Sequence, residues 1–209
     1  MSHENEDRNS EETFLIESAL AEIYTANAGI GSVEAAESNL LGVLELDPNF
    51  VERVEAHKLL AQLYAQTGRH QEALDNLAAA LAAAPEQAAT LSESLASMFE
   101  KEGEWELAIE VYRQGLACAE DAVLHNGIGY SLARANRFEE AEHHSRRAME
   151  LEPDNAAYAN DLGYLLLEQG QVHEARTLFQ RALQLDPSDE LARGNLRRCS
   201  EAASESKDD

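Results

Sequence analysis

The stretch DLGYLLLEQGQVHEARTLFQRALQLDP, residues 161–187, decides the fold. Two runs of good helix formers flank a polar break at Gly170, and the second run stops at Pro187. Proline lacks an amide donor and disfavours helical geometry at the residue before it, so it marks a helix end. Inside the first run stands Gly163, where glycine costs about 1 kcal/mol relative to alanine. Thirty-four residues earlier, NGIGYSLARAN (126–136) carries Gly129 at the matching place. A costly residue that recurs at a fixed interval has a packing role. Two antiparallel helices approach closely only where the side chains between them are small.

The same phrase recurs along the chain. LLGVLELDP, LAAALAAAP, RRAMELEP and QRALQLDP end at Pro48, Pro85, Pro153 and Pro187, which are all the prolines present. The polar breaks NAGIGS, QTGRH, KEGEWE, RANRFE and EQGQVH divide the helices of each pair. Five helix pairs follow, at about 17–48, 54–87, 89–121, 122–155 and 156–189, with residues 49–53 lengthening one loop. Ala36, Ala73, Ala108, Ala141 and Ala175 form one column of small residues; Ala61, Ala96, Gly129 and Gly163 form another. The stretch after Pro187 places Leu191, Ala192 and Leu196 toward one side. It predicts a capping helix over 190–203 that covers the last open apolar face. Residues 1–9 and 204–209 read as charged, disordered tails, and Ser10 with Glu11 and Glu12 reads as a helix start.

Composition bounds the function. Hydrophobic residues make up 44% and aromatics 6%, with abundant alanine, which favours helices over strands. The formal net charge of −24 repels phosphate backbones and anionic lipid heads, arguing against nucleic acid and membrane partners. Lysine occurs only at 58, 101 and 207. Such a surface fits either adaptation to a salty interior or attraction of a basic partner. Cys118 and Cys199 are far apart and form no metal or disulfide pattern. The polar start MSHENEDRNS is no signal peptide and no apolar run reaches membrane-spanning length, so a cytoplasmic location is expected.

The chain offers little for catalysis. His143 and His144 are neighbours and diverge by about 100° on a helix, and His3, His57, His70, His125 and His173 show no ligand spacing, so no metal is expected. There is no glycine-rich phosphate loop, no nucleophile elbow and no Cys-x-x-Cys. Glu142 and Arg146 are spaced for a surface ion pair. No enzyme activity and no cofactor are implied.

The order of Leu-Gly, then a large residue, Ala, an aromatic, Ala and Pro resembles the tetratricopeptide repeat, best in 161–187, and the likeness spans roughly 17–189. The tryptophan usual near the start of each first helix is replaced by Leu20, His57, Ser92, His125 and Ala159. The first repeat also has Tyr24 where a small residue is usual. The resemblance implies an all-α solenoid of five antiparallel helix pairs, coiled through part of a right-handed superhelical turn. It also implies an adaptor whose first helices line a concave groove for a protein or peptide partner.

By register, that groove receives Lys58 and Gln62, then Asn126, Tyr130 and Arg134, then Asn160, Asp161, Tyr164 and Glu168. Paired Asn126/Asn160 and Tyr130/Tyr164 suit a track that bonds a peptide backbone and offers aromatic anchors. They equally suit packing between repeats, with the amides bonding neighbouring helices. Relatives that bind acidic chaperone tails resemble one another in a carboxylate clamp of Lys, Asn and Arg. Here Lys58 and Gln62 are followed by Ser94, Val123 and Gly127, so the clamp is incomplete and a neutral or basic segment is the expected ligand. Homo-oligomerisation through an N-terminal face containing Phe14, Leu15 and Ile16 is the alternative.

Overall fold

In a computed structural model the described residues are 13–16, 18, 19, 22, 32–46 and 49–205. Residues 13–16, 18, 19 and 22 are helical. Ten helices follow: α1 Val33–Glu45, α2 Phe50–Gln66, α3 His70–Ala83, α4 Ala88–Glu102, α5 Trp105–Cys118, α6 Ala122–Arg134, α7 Phe138–Leu151, α8 Ala156–Glu168, α9 Val172–Leu185 and α10 Glu190–Glu205. A single 3₁₀ turn, Pro85–Gln87, leads into α4. Among the described residues there is no strand, and no helix is long and apolar enough to cross a membrane. The fold is all-α, built from repeated helix pairs.

Local chemistry sets the helix ends. Side chains of Ser32, Asn49, Asp121 and Asn155 accept amide hydrogen bonds at the starts of α1, α2, α6 and α8, satisfying otherwise orphaned donors. Helices α3, α7 and α9 each stop two residues before a proline. The intervening Ala84, Glu152 and Asp186 leave helical geometry with ψ of 68°, 77° and 95°. At the breaks, Gly68, Gly103 and Gly170 take φ of 74°, 79° and 76°, and Asn136 occupies the same slot at φ 61°. The residue after three of these reaches back five positions: Arg69 N–H to Tyr64 O, Arg137 N–H to Leu132 O and Gln171 N–H to Leu166 O, at 2.8–2.9 Å. This is the Schellman arrangement, which needs a left-handed residue at its centre.

Two compact units result, residues 1–102 with 117–119 and residues 103–116 with 120–209. In the first, α2 and α3 form a close hairpin, α1 packs on α2, and α4 packs on both helices of the hairpin. Leu40, Leu60, Leu63, Leu95 and Phe99 are fully buried there. Tyr64 donates to Glu37 at 2.8 Å, and Arg69 lies over the Tyr64 ring while pairing with Glu37 at 2.8 Å, which ties α1 to the hairpin. Burial and the Glu37 carboxylate push the Tyr64 hydroxyl up to about 12.

In the second unit, α6/α7 and α8/α9 are hairpins and α10 packs on α9 and α8. Ile128, Leu132, Leu162, Leu166 and Phe179 form its interior. The glycines of the opening motif lie at the contacts. A Cβ on Gly163 would meet the Phe179 ring at 2.8 Å; one on Gly129 would meet Ser145 Oγ at 2.5 Å. Gly127 faces the Tyr112 ring of α5 even more closely, at 2.3 Å from a Cβ.

Three details differ from the sequence reading. Asn49 caps α2, so residues 50–53 extend the helix rather than a loop. Helix α10 reaches Glu205, two residues into the expected tail. Its inward face carries Ala192, Leu196 and Cys199, while Leu191, a rotation of about 100° away, is 74% exposed. Phe14 is 66% exposed, with Leu15 and Ile16 half-buried. The readings placed on residues 1–12, Leu20, Tyr24, Pro48 and 206–209 lie outside the described residues.

Candidate functional site

Helices α6 and α8 are the first members of consecutive hairpins, so residues 34 apart hold equivalent stations. Tyr130 and Tyr164 are such a pair and keep 46% and 41% of their surface exposed, high for tyrosines in the middle of helices. Both line a pocket of about 480 Å³ whose wall comes entirely from the second unit. Arg134, Asn160, Asp161 and Glu168 contribute its polar groups, while Ala133, Leu165 and Leu191 contribute apolar surface. Asn195 of α10 closes one side. No histidine or cysteine lines it.

Hydrogen bonds between first helices hold the polar wall in place. Asn126 Nδ2 donates to Asp161 Oδ2 at 3.0 Å, and Asn195 Nδ2 donates to Asn160 Oδ1 at 3.1 Å. Both bonds span 35 residues, one repeat plus one. Each amide on one first helix therefore meets the next first helix one position beyond its own equivalent. Asn160 is buried, and burial raises the Asp161 carboxyl above the ordinary range against the opposing pull of the Asn126 and Asn160 amides.

The cations at the pocket lie against aromatic rings. The Arg134 guanidinium lies over the Trp105 ring at 4.9 Å, and that ring meets Tyr130 edge-on at 6.2 Å. Arg198 lies 5.5 Å above the Tyr164 ring and pairs with Glu168 at 2.8 Å. Glu168 is thus neutralised within the protein, while Asp161 receives only amides among the described residues.

Of the nine residues placed in the groove by register, Tyr130, Arg134, Asn160, Asp161, Tyr164 and Glu168 line this pocket, and Asn126 orients one of its carboxylates. Lys58 and Gln62 belong to the first unit, where they border a recess of about 10 Å³ and Gln62 donates to Ser94 at 2.8 Å. Lys58 pairs with Glu55 at 2.6 Å. Asn195 and Leu191 went unread as pocket residues. The 35-residue offset from Asn160 was the available sign for Asn195.

A second pairing also escaped the sequence reading. His125 and His144 approach Nδ1 to Nδ1 at 2.9 Å between α6 and α7. His57 bonds Asn76 across α2 and α3 at the same 19-residue separation, also at 2.9 Å. Histidine in the slot usual for tryptophan thus bonds the partner helix of its own hairpin. A Nδ1–Nδ1 bond needs one nitrogen bare, so both rings cannot be protonated together. Burial, with His125 and His143 nearby, pushes His144 down to about 4. Among the described residues no group of three or more His, Cys, Asp or Glu is arranged to hold a metal ion.

Comparison with known proteins agrees with this architecture. The profile described as tetratricopeptide repeat matches residues 28–88, 59–123 and 126–190. No curated protein sequence matches the chain. Among solved structures, YrrB, titled a TPR protein with an unusual peptide-binding site, is 21% identical over 91% of this chain and 94% of its own, with a TM-score of 0.58. MamA from Desulfovibrio magneticus RS-1 is 19% identical over 86% of this chain and 97% of its own, with a TM-score of 0.56. The second TPR domain of human RPAP3, solved in complex with an HSP70 peptide, is 26% identical over 56% of this chain and 98% of its own, with a TM-score of 0.52.

Proposed function

The chain belongs to the tetratricopeptide repeat family, and on that premise we propose that it is a non-catalytic adaptor that seats a segment of a partner protein against α6 and α8. The observation that carries this reading is the convergence of half-exposed Tyr130 and Tyr164 on one pocket with Arg134 and Asn160. Tyrosine offers apolar contact and a polar tip at a small entropy cost, which suits a binding anchor. Asn126 and Asn160 hold the polar wall in shape rather than reaching for ligand, since both bond neighbouring first helices.

The human RPAP3 domain was solved with an HSP70 peptide. An acidic tail is the wrong ligand here. Lys58 is paired with Glu55, the later clamp slots hold Ser94, Val123 and Gly127, and the molecule carries a net charge of −24. A neutral or basic segment meets less repulsion.

The test is affinity capture from the native cell extract by wild type and by Tyr130→Ala/Tyr164→Ala, brought to equal helicity by circular dichroism. The captured protein is then titrated in pure form. Capture lost in the double variant, with a matching loss of affinity in the titration, supports the reading; equal capture rejects it.

A further inference from the structure

The pocket between α6 and α8 has a chemical preference written into its wall. Two carboxylates line it, Asp161 and Glu168. Glu168 has its cation in Arg198. Asp161 has none among the described residues: Asn126 donates to it at 3.0 Å, and Asn160 supplies a second amide. Neutral amides orient a carboxylate without cancelling its charge. The third charged group on the wall, Arg134, stays cationic; its guanidinium is held over the Trp105 ring of α5, which orients it without cancelling its charge. Two half-exposed phenol rings stand on the same wall. At its margin the protein already lays guanidinium groups over aromatic faces, Arg134 on Trp105 and Arg198 on Tyr164. Such stacking is favourable because the negative face of the ring attracts the cation.

We propose that this pocket is a subsite for one lysine or arginine side chain of the partner segment, with Asp161 as its counter-charge and Tyr130 and Tyr164 as the rings that flank its stem. The inference rests on the groove reading above and adds its specificity. An anionic group beside Asp161 would meet its carboxylate and could pair only by drawing Arg134 off the Trp105 ring. An apolar side chain would cover that carboxylate and leave it desolvated, which is costly. A cationic side chain satisfies both the charge and the aromatic surface. A bare metal ion is a poorer occupant, because Asp161 with amides, beside a Glu168 already paired with Arg198, falls short of the oxygen set that hard cations require.

The experiment selects random phage-displayed peptides on the full chain. The winners are then measured on wild type, Asp161→Asn, Glu86→Gln and Tyr130→Ala/Tyr164→Ala. Wild-type winners are expected to share one basic position. Replacing it by norleucine, or Asp161 by Asn, should weaken binding roughly ten- to a hundredfold, and the two changes together should cost little more than either. Glu86→Gln, a charge change on the exposed surface of the first unit, should leave affinity unchanged.

Winners without a basic preference, or equal weakening by Asp161→Asn and Glu86→Gln, overturn the subsite while sensitivity to the tyrosine pair keeps the groove reading alive. Winners that bind the tyrosine variant as tightly as wild type overturn both. Should Asp161→Asn fold poorly, wild type alone suffices. Ethylguanidinium chloride should shift the ring resonances of Tyr130 and Tyr164 in NMR beyond the effect of sodium chloride at equal ionic strength. Identical responses to the two salts overturn the subsite.

Discussion

Replacing Gly129 by alanine sets two effects against each other. The helix gains about 1 kcal/mol from the better helix former. The new Cβ would stand 2.5 Å from Ser145 Oγ, 3.2 Å from Ser145 N and 3.3 Å from Ala141 O. The serine hydroxyl can rotate, although its residue is buried, but the two backbone atoms belong to α7 and move only with that helix. Separating a packed hairpin by a few tenths of an ångström is overpacking, which costs about 1–3 kcal/mol. The net effect is a loss of up to about 2 kcal/mol. Gly194 in α10 provides the control: nothing lies within 4 Å of its added Cβ, so Gly194→Ala should stabilise by roughly 0.5–1 kcal/mol. Because both variants share the propensity gain, their difference of about 1–3 kcal/mol isolates the packing cost. Urea titration followed by far-UV circular dichroism measures it. If the two variants stabilise alike, the account of the recurring glycine is wrong.

Asn136 holds the left-handed slot that glycine fills at 68, 103 and 170. Asn136→Gly should raise stability by about 0.5–1 kcal/mol and Asn136→Ala should lower it by about 1 kcal/mol in the same titration, because only glycine enters that region without strain. The histidine pair makes the protein sensitive to acid. His144 ionises near 6.5 when unfolded and near 4 when folded, so between those values the unfolded chain binds more protons and stability falls as pH drops. The full shift corresponds to at most about 3 kcal/mol, and the half-exposed ring brings this nearer 1–2 kcal/mol. His144→Asn, copying the His57–Asn76 pair, should flatten the pH dependence between pH 7 and pH 4 in thermal melts relative to wild type. An unchanged slope would show that the ring does not titrate as described.

The helix pairs were legible in sequence because their determinants are local. Pro85, Pro153 and Pro187 act on the residue before them, Gly68 and Gly170 act on their own dihedrals, and the Ala and Gly columns act between helices that are neighbours in the chain. Half of the site was legible for the same reason: Tyr130 and Tyr164 occupy equivalent stations that a fixed period exposes. Asp161 too was placed in the groove by register, but its bond to Asn126, the pocket places of Asn195 and Leu191 and the His125–His144 bond were not legible, because they depend on where a different helix lands. The Asn126–Asp161 and Asn160–Asn195 bonds need each first helix to be displaced by one residue against the next; the 35-residue spacing stands in the sequence, but nothing local marks it as a contact. Likewise the rotation of α10 about its own axis sends Leu191 to the pocket and Cys199 to the interior. Repetition in the amino-acid order sets which helices form and which residues are equivalent; side-chain packing between successive hairpins sets which of those residues meet, and so what each charge at the pocket faces.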